Sequence, residues 1–304
     1  MALSSSAEYK LGTFLLQRKI SLTSSQPPLR IAYRIIRPSL LRSSQAPLLF
    51  IHGGPSLPSE YLDPIADTSL PLHNRSLILY DQLGCGWSSI PQQDEWYSVE
   101  NMASDLYELL RHLEKEHGID RYHLCGHSLG GAIGYEFLRR SLGSSEDRDM
   151  PRCLSFTLSN ASTNFKLSDY ERKRLFDQFL KQHHLMGFRK GIHDNFFQTH
   201  ICRTEQIPHV LQSAQTRRGK SWSAEEYTAL PLCEDITRFP HVQIIRGEYD
   251  FITENCISGW TDLIRNKCVK ELQKVVMKDC AHYPHLEHPH EHAGELQRFC
   301  CSNE

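Results

Sequence analysis

The 304-residue chain has no long apolar run, no CxxC pair, no block of Lys or Arg and no internal repeat. Each absence removes a class of function. Apolar stretches such as residues 47–51 are strand-sized, far short of the ~20 residues a membrane-crossing helix needs. The ten cysteines are scattered, as reduced thiols in a large core are, and form no disulfide framework, so the expected compartment is the cytosol. With 34 basic against 36 acidic side chains the formal charge is −2. That leaves no electrostatic footprint for nucleic acid or an anionic membrane, and neither is expected as a partner. The first ten residues, MALSSSAEYK, lack an apolar core, so no secretory signal is expected. With 39% hydrophobic residues the chain has enough apolar surface for a core, which excludes disorder as its main state. Histidine is in excess: there are 17, five of them between His282 and His292. A metal site is the first idea this raises.

Short apolar runs at 47–51, 76–80, 122–125 and 154–158 have the length and composition of strands buried on both faces. Ahead of them, 12–17 and 30–36 flank the Ser/Gln/Pro-rich stretch 21–28, which predicts an antiparallel hairpin. Met102, Leu106, Leu109, Leu110 and Leu113 share one face of a helix expected over 99–117, and a second helix is expected over 129–141. Strand, helix, strand, helix predicts the α/β class with a mostly parallel, doubly wound sheet. From 162 to 239 the sequence is helical and charge-rich, with no strand-like run. A strand at 242–246, a helix at 255–266, a strand at 272–277 and a helix at 289–300 then resume the pattern. The expected organisation is a core in two parts, 1–162 and 240–304, with an inserted helical cap over 163–239. The polar stretch 143–151 is expected to be a surface connection.

Gly126-His127-Ser128-Leu129-Gly130 is a G-x-S-x-G sequence between an expected strand and an expected helix. A serine on such a sharp turn projects its hydroxyl above the C-terminal edge of the sheet. The hydroxyl needs a base, and the base needs a carboxylate to orient it, each after a later strand. Asp250 and His282 stand in those places, with Glu248 as the rival acid. The order Ser128, Asp250, His282 is that of the α/β-hydrolase fold. His52-Gly53-Gly54-Pro55, at the end of the first core strand, offers a Gly-rich turn for an oxyanion hole, and the Leu129 N–H is the expected second donor. His127, Trp87, Trp222 and Tyr227 are candidates for lining a substrate pocket, whereas Cys85 and Cys125 are expected to be small hydrophobes.

Four segments resemble the proline iminopeptidase (prolyl aminopeptidase-like) family of α/β-hydrolases: His52–Pro55, Tyr80-Asp81-Gln82-Leu83-Gly84-Cys85-Gly86-Trp87-Ser88, Gly126–Gly131, and His282-Tyr283-Pro284-His285-Leu286-Glu287-His288-Pro289. A fifth, from Asn195 to Arg203, is similar to a stretch of the cap in some members. The resemblance implies a Ser128–Asp250–His282 triad, oxyanion donors at Gly54 and Leu129, and release of an N-terminal proline or small residue from a peptide or amide. It also places the terminal histidines at variable positions, so neither a metal nor a cofactor is expected. Ser56 and Leu83 depart from the family pattern. The cap departs too, because residues 163–238 hold 12 basic and 9 acidic residues, whereas the family's aminopeptidases hold the substrate ammonium with cap carboxylates. Asp194, Glu205, Glu225 and Glu226 are the candidates for that task. Two further readings therefore stand beside the peptidase: an ester, lactone, thioester or amide hydrolase tailoring a small molecule, and a non-catalytic binding protein that keeps the hydrolase fold.

Overall fold

The computed structural model describes residues 8–16, 28–37, 45–67, 69–143, 150–184, 191–233, 236, 239–265 and 272–304. The expected turn at 21–28, except Pro28, lies outside them, as do 144–149 of the connection at 143–151 and Asn266 at the end of an expected helix. The sheet strands are β1 (Glu8–Leu15), β2 (Arg30–Arg37), β3 (Leu48–Ile51), β4 (Leu77–Asp81), β5 (Arg121–His127), β6 (Arg152–Ser159), β7 (His241–Gly247) and β8 (Leu272–Met277). Their order is β1-β2-β4-β3-β5-β6-β7-β8. β1 pairs antiparallel with β2, and β2 with β4, while every later pair is parallel. This is an α/β-hydrolase fold.

β3 and β4 are buried along their whole length, which is why they are uninterrupted apolar runs rather than alternating ones. Successive side chains serve opposite faces. Leu49 and Ile51 pack with α1 (Val99–His117) and α2 (Leu129–Ser141), while Leu48 and Phe50 face the other layer. The Ser98 hydroxyl caps the start of α1 by accepting the Asn101 N–H at 3.1 Å. Between β6 and β7 come α3 (Phe165–His184), α4 (Ile192–His200) and α5 (His209–Thr216), and the chain returns through α6 (Glu254–Arg265), α7 (Pro284–Glu287) and α8 (Pro289–Cys301). No helix among the described residues is long and apolar enough to cross a membrane.

Strand order reverses beside β3, because β4 lies on one side of it and β5 on the other. The crevice outside the strand ends at such a switch point is where open α/β sheets bind ligands. The register aligns those ends, with Ile51 opposite Gly126, His127 opposite Ser159, and Ser159 opposite Ile245. α2 enters so close to β3 that a Cβ on Gly130 would lie 2.1 Å from the Ile51 carbonyl oxygen. Both groups are backbone, so neither can swing away. Gly130→Ala is therefore expected to destabilise the protein by at least ~2 kcal/mol in urea unfolding. Gly118→Ala, at a left-handed position with nothing within 4 Å, should cost only ~1 kcal/mol. Equal costs would show that the α2–β3 contact is not the constraint.

Candidate active site

Ser128 alone joins β5 to α2, and it does so at φ 55°, ψ −121°, a conformation that non-glycine residues adopt only where the surroundings impose it. The surroundings here are hydrogen bonds. The Ser128 N–H donates to the Ser159 carbonyl at 2.9 Å, and the Ser128 carbonyl accepts the Gly131 N–H at 3.0 Å. The Gly53–Gly54 loop presses against the turn so closely that a Cβ on Gly53 would lie 3.0 Å from the Ser128 Cβ. Leu129 is the first residue of α2, so its N–H has no acceptor within the helix.

The loops after β7 and β8 meet because a Cβ on Gly247 would fall 2.0 Å from the Ala281 carbonyl oxygen. That approach brings Asp250 and His282 together, with His282 Nδ1 3.0 Å from Asp250 Oδ1. A carboxylate only accepts, so Nδ1 carries a proton, and the neutral ring then has its lone pair at Nε2. Asp250 is buried but satisfied: Oδ1 also accepts the Ile252 N–H at 2.9 Å, and Oδ2 accepts Asn160 Nδ2 at 2.6 Å. Glu248, the rival acid, faces away from His282 and holds Lys278 Nζ at 3.3 Å and the Asp279 N–H at 3.2 Å. The insertion braces both loops: the Ile201 carbonyl accepts the His282 N–H at 3.0 Å, and His200 Nδ1 donates to the Tyr249 carbonyl at 2.7 Å.

His127 has a role that its position beside Ser128 did not reveal. Its Nε2–H donates to the His282 carbonyl at 2.7 Å, which leaves Nδ1 to accept the Tyr61 hydroxyl at 2.8 Å. The Tyr61 oxygen in turn accepts the Gly53 N–H at 2.6 Å. One neutral tautomer thus ties the Gly-rich loop to the His282 loop. The Gly53 N–H is used up, which leaves Gly54 as the next donor on that loop, since Pro55 has none. His52 joins the other two motifs, as its Nε2 accepts the Gln82 N–H at 2.9 Å and its carbonyl accepts Gln82 Nε2 at 2.7 Å. Asp81 fastens the neighbouring turn by accepting the Ser59 N–H at 2.8 Å and the Trp87 N–H at 2.9 Å.

Ser128 and His282 open into one cleft of about 410 Å³, lined also by Gly53, Gly54, His127 and Tyr283, and on the insertion side by Phe196, Phe197 and Arg218. Of the four residues expected to line the pocket, only His127 does. Trp87 is 74% exposed and borders outer clefts beside Arg34. Trp222 stacks on Tyr97 at 6.2 Å, and Tyr227 is buried under the insertion beside Phe165. Their apolar surface is spent on packing. None of the four candidate carboxylates reaches the cleft either, and Glu226 pairs with Lys166 at the surface instead. Sequence reasoning missed Tyr61 and Asn160. Tyr61 sits in a 3-10 turn, Ser59–Ala66, that carries no motif. Asn160 left only the weak signal of an Asn directly after a strand, where it adopts φ 53°. Among the described residues no group of three His, Cys, Asp or Glu is placed to hold a metal ion.

The alpha/beta hydrolase family model matches residues 48–295. The proline iminopeptidase of Saccharolobus solfataricus is 24% identical over 303 residues, covering 89% of each chain. That of Lactobacillus crispatus is 37% identical over 107 residues, but the match spans only 35% of this chain and 34% of the relative. Among solved structures, VinJ superposes with a TM-score of 0.74 at 21% identity, covering 97% of this chain and 99% of that one. The proline iminopeptidase of Mycobacterium smegmatis does so at 0.72 and 20%, covering 90% and 95%. At those identities the superpositions speak for the fold.

Two predictions follow from the buried histidines and their partners. Tyr61→Phe strands the Gly53 N–H and leaves His127 Nδ1 without a donor, so it should cost about 1–3 kcal/mol of stability, read in urea, and lower kcat on any substrate found. Burial holds His52, His127 and His285 below the ordinary histidine range and lowers His292 to about 4. The unfolded chain therefore takes up protons that the folded chain refuses as pH falls from ~6.5 toward 4. Stability should be full above pH 6.5 and drop below it, by up to ~1.4 kcal/mol per pH unit for each such histidine. A melting temperature that stays constant from pH 7 to 5 would contradict this.

Proposed function

The chain belongs to the alpha/beta hydrolase family, and on that footing we propose that it is a serine hydrolase working through an acyl-enzyme. The carrying observation is the His282–Asp250 pair, with its Nδ1–H committed to the carboxylate, opening into the same cleft as Ser128 on its strained turn. In this reading His282 Nε2 takes the Ser128 proton as Oγ attacks a carbonyl, and Asp250 stabilises the imidazolium that forms. The N–H groups of Gly54 and Leu129 receive the oxyanion. His282 returns the proton to the leaving group, and water then releases the acyl group by the same route. Residues 163–239 act as the lid that shapes the substrate site. The nine described cysteines are free thiols, which supports a reducing, cytosolic setting.

The substrate reading that the cleft supports is an ester, thioester or amide of a small molecule that needs no free ammonium. A buried or half-buried cation requires a counter-charge, and no Asp or Glu is among the cleft residues. Release of an N-terminal proline is the second reading, favoured by the relatives of Saccharolobus solfataricus and Lactobacillus crispatus that carry that activity in their names. A fluorophosphonate probe is expected to label the protein, and Ser128→Ala to abolish both labelling and turnover. A labelled Ser128→Ala protein would refute the assignment. On one preparation, short p-nitrophenyl esters should be cleaved and proline p-nitroanilide should not; the opposite result would restore the peptidase.

A further inference from the structure

The insertion brings Arg172, His193 and Arg218 to the cleft that holds Ser128 and His282. The two arginine charges are met differently. Arg172 donates to Asp169 Oδ1 at 2.7 Å on its own helix, so much of its charge is answered there. Arg217, next in sequence to Arg218, is paired with Glu60. Arg218 has no hydrogen bond or ion pair among the described residues, although it lines the cleft. Its guanidinium acts on Tyr283, the cleft residue directly after His282: burial raises the Tyr283 phenol, and the Arg218 charge opposes that rise. The cation is therefore felt at the reacting end of the cleft although the residue is solvent-exposed. Gln215, one turn earlier on α5, lines the same wall with a neutral amide.

From this placement, which rests on the serine hydrolase reading, we infer that Arg218 recognises an anionic oxygen group, a carboxylate, carried by the substrate. A planar guanidinium offers paired N–H donors that match a carboxylate, whereas a substrate ammonium in the same place would be repelled. The carboxylate belongs either to the acyl part or to the leaving group, and matched esters separate the two. On the acyl side the pair is the mono-p-nitrophenyl ester of glutaric acid against p-nitrophenyl pentanoate. On the leaving side it is the pentanoate ester of 4-hydroxybenzoate against that of 4-hydroxybenzamide.

Wild type is expected to prefer the anionic member of at least one pair by ~10-fold or more in kcat/KM, carried mainly by KM. Arg218→Gln should remove that preference, and Arg218→Lys should keep part of it. The preference should also shrink at high salt, because Arg218 is solvent-exposed. Equal or better cleavage of both neutral esters, or an Arg218→Gln variant with the ratio unchanged, would overturn the inference. So would failure to cleave any of the four esters. Fluorophosphonate labelling of Ser128 keeps the two readings apart. Labelling without an anion preference rejects the role of Arg218 alone, and absence of labelling rejects the hydrolase assignment with it.

Discussion

Backbone meets backbone where the first turn of α2 lies on the end of β3, with no room for one carbon between Gly130 and the Ile51 carbonyl. Most of the site depends on that approach. It fixes the angle at which the chain leaves β5, so that Ser128 must take up a positive-φ conformation that its own side chain disfavours. The Gly53–Gly54 loop lies as tightly against the same turn, where a Cβ on Gly53 would sit 3.0 Å from the Ser128 Cβ. A second backbone approach, Gly247 to Ala281, does the same for the loops that carry Asp250 and His282. Loop positions are ordinarily loose. Here they are set by contacts in which no side chain can relax.

Neutral histidine is the other structural device. His52 and His127 are each buried, each hydrogen-bonded at both ring nitrogens, and each joins loops that come from different strands. A neutral imidazole carries one donor and one acceptor on opposite sides of a rigid ring, so it can satisfy a carbonyl on one side and an N–H or O–H on the other. The same burial that makes these bridges firm keeps the rings uncharged. Part of the histidine content is thus structural: beside His282, which pairs with Asp250, His52 and His127 serve the connections around the crevice.

The core and the insertion divide the work. The strand ends and their loops hold the chemical groups, and the insertion adds the cleft wall while its backbone braces the His282 and Tyr249 loops. One wall of the cleft is therefore built from a part of the chain that also steadies the Asp250–His282 pair.

Local sequence rules determined a great deal about this protein. Apolar runs and helical periodicity gave the buried strands and the helices of the core nearly to their ends, because a strand buried on both faces has no polar positions to hide its length, whereas the exposed edge strand β1, expected over 12–17, runs from Glu8 to Leu15. Ser128, Asp250 and His282 stood out because each lies within a few residues of a strand end, where a short loop projects side chains over the sheet edge. The rest was decided by tertiary structure. Whether an aromatic residue lines a cleft or a core depends on which surface folds over it, and composition holds no such information; Trp87, Trp222 and Tyr227 went to packing or to the outer surface. Tyr61 and Asn160 stand out through partners 66 and 90 residues away, and Arg218 through the carboxylates that Arg172 and Arg217 have and it lacks among the described residues. A sequence records which groups are present, but the charge each one meets is fixed only when distant segments are packed together.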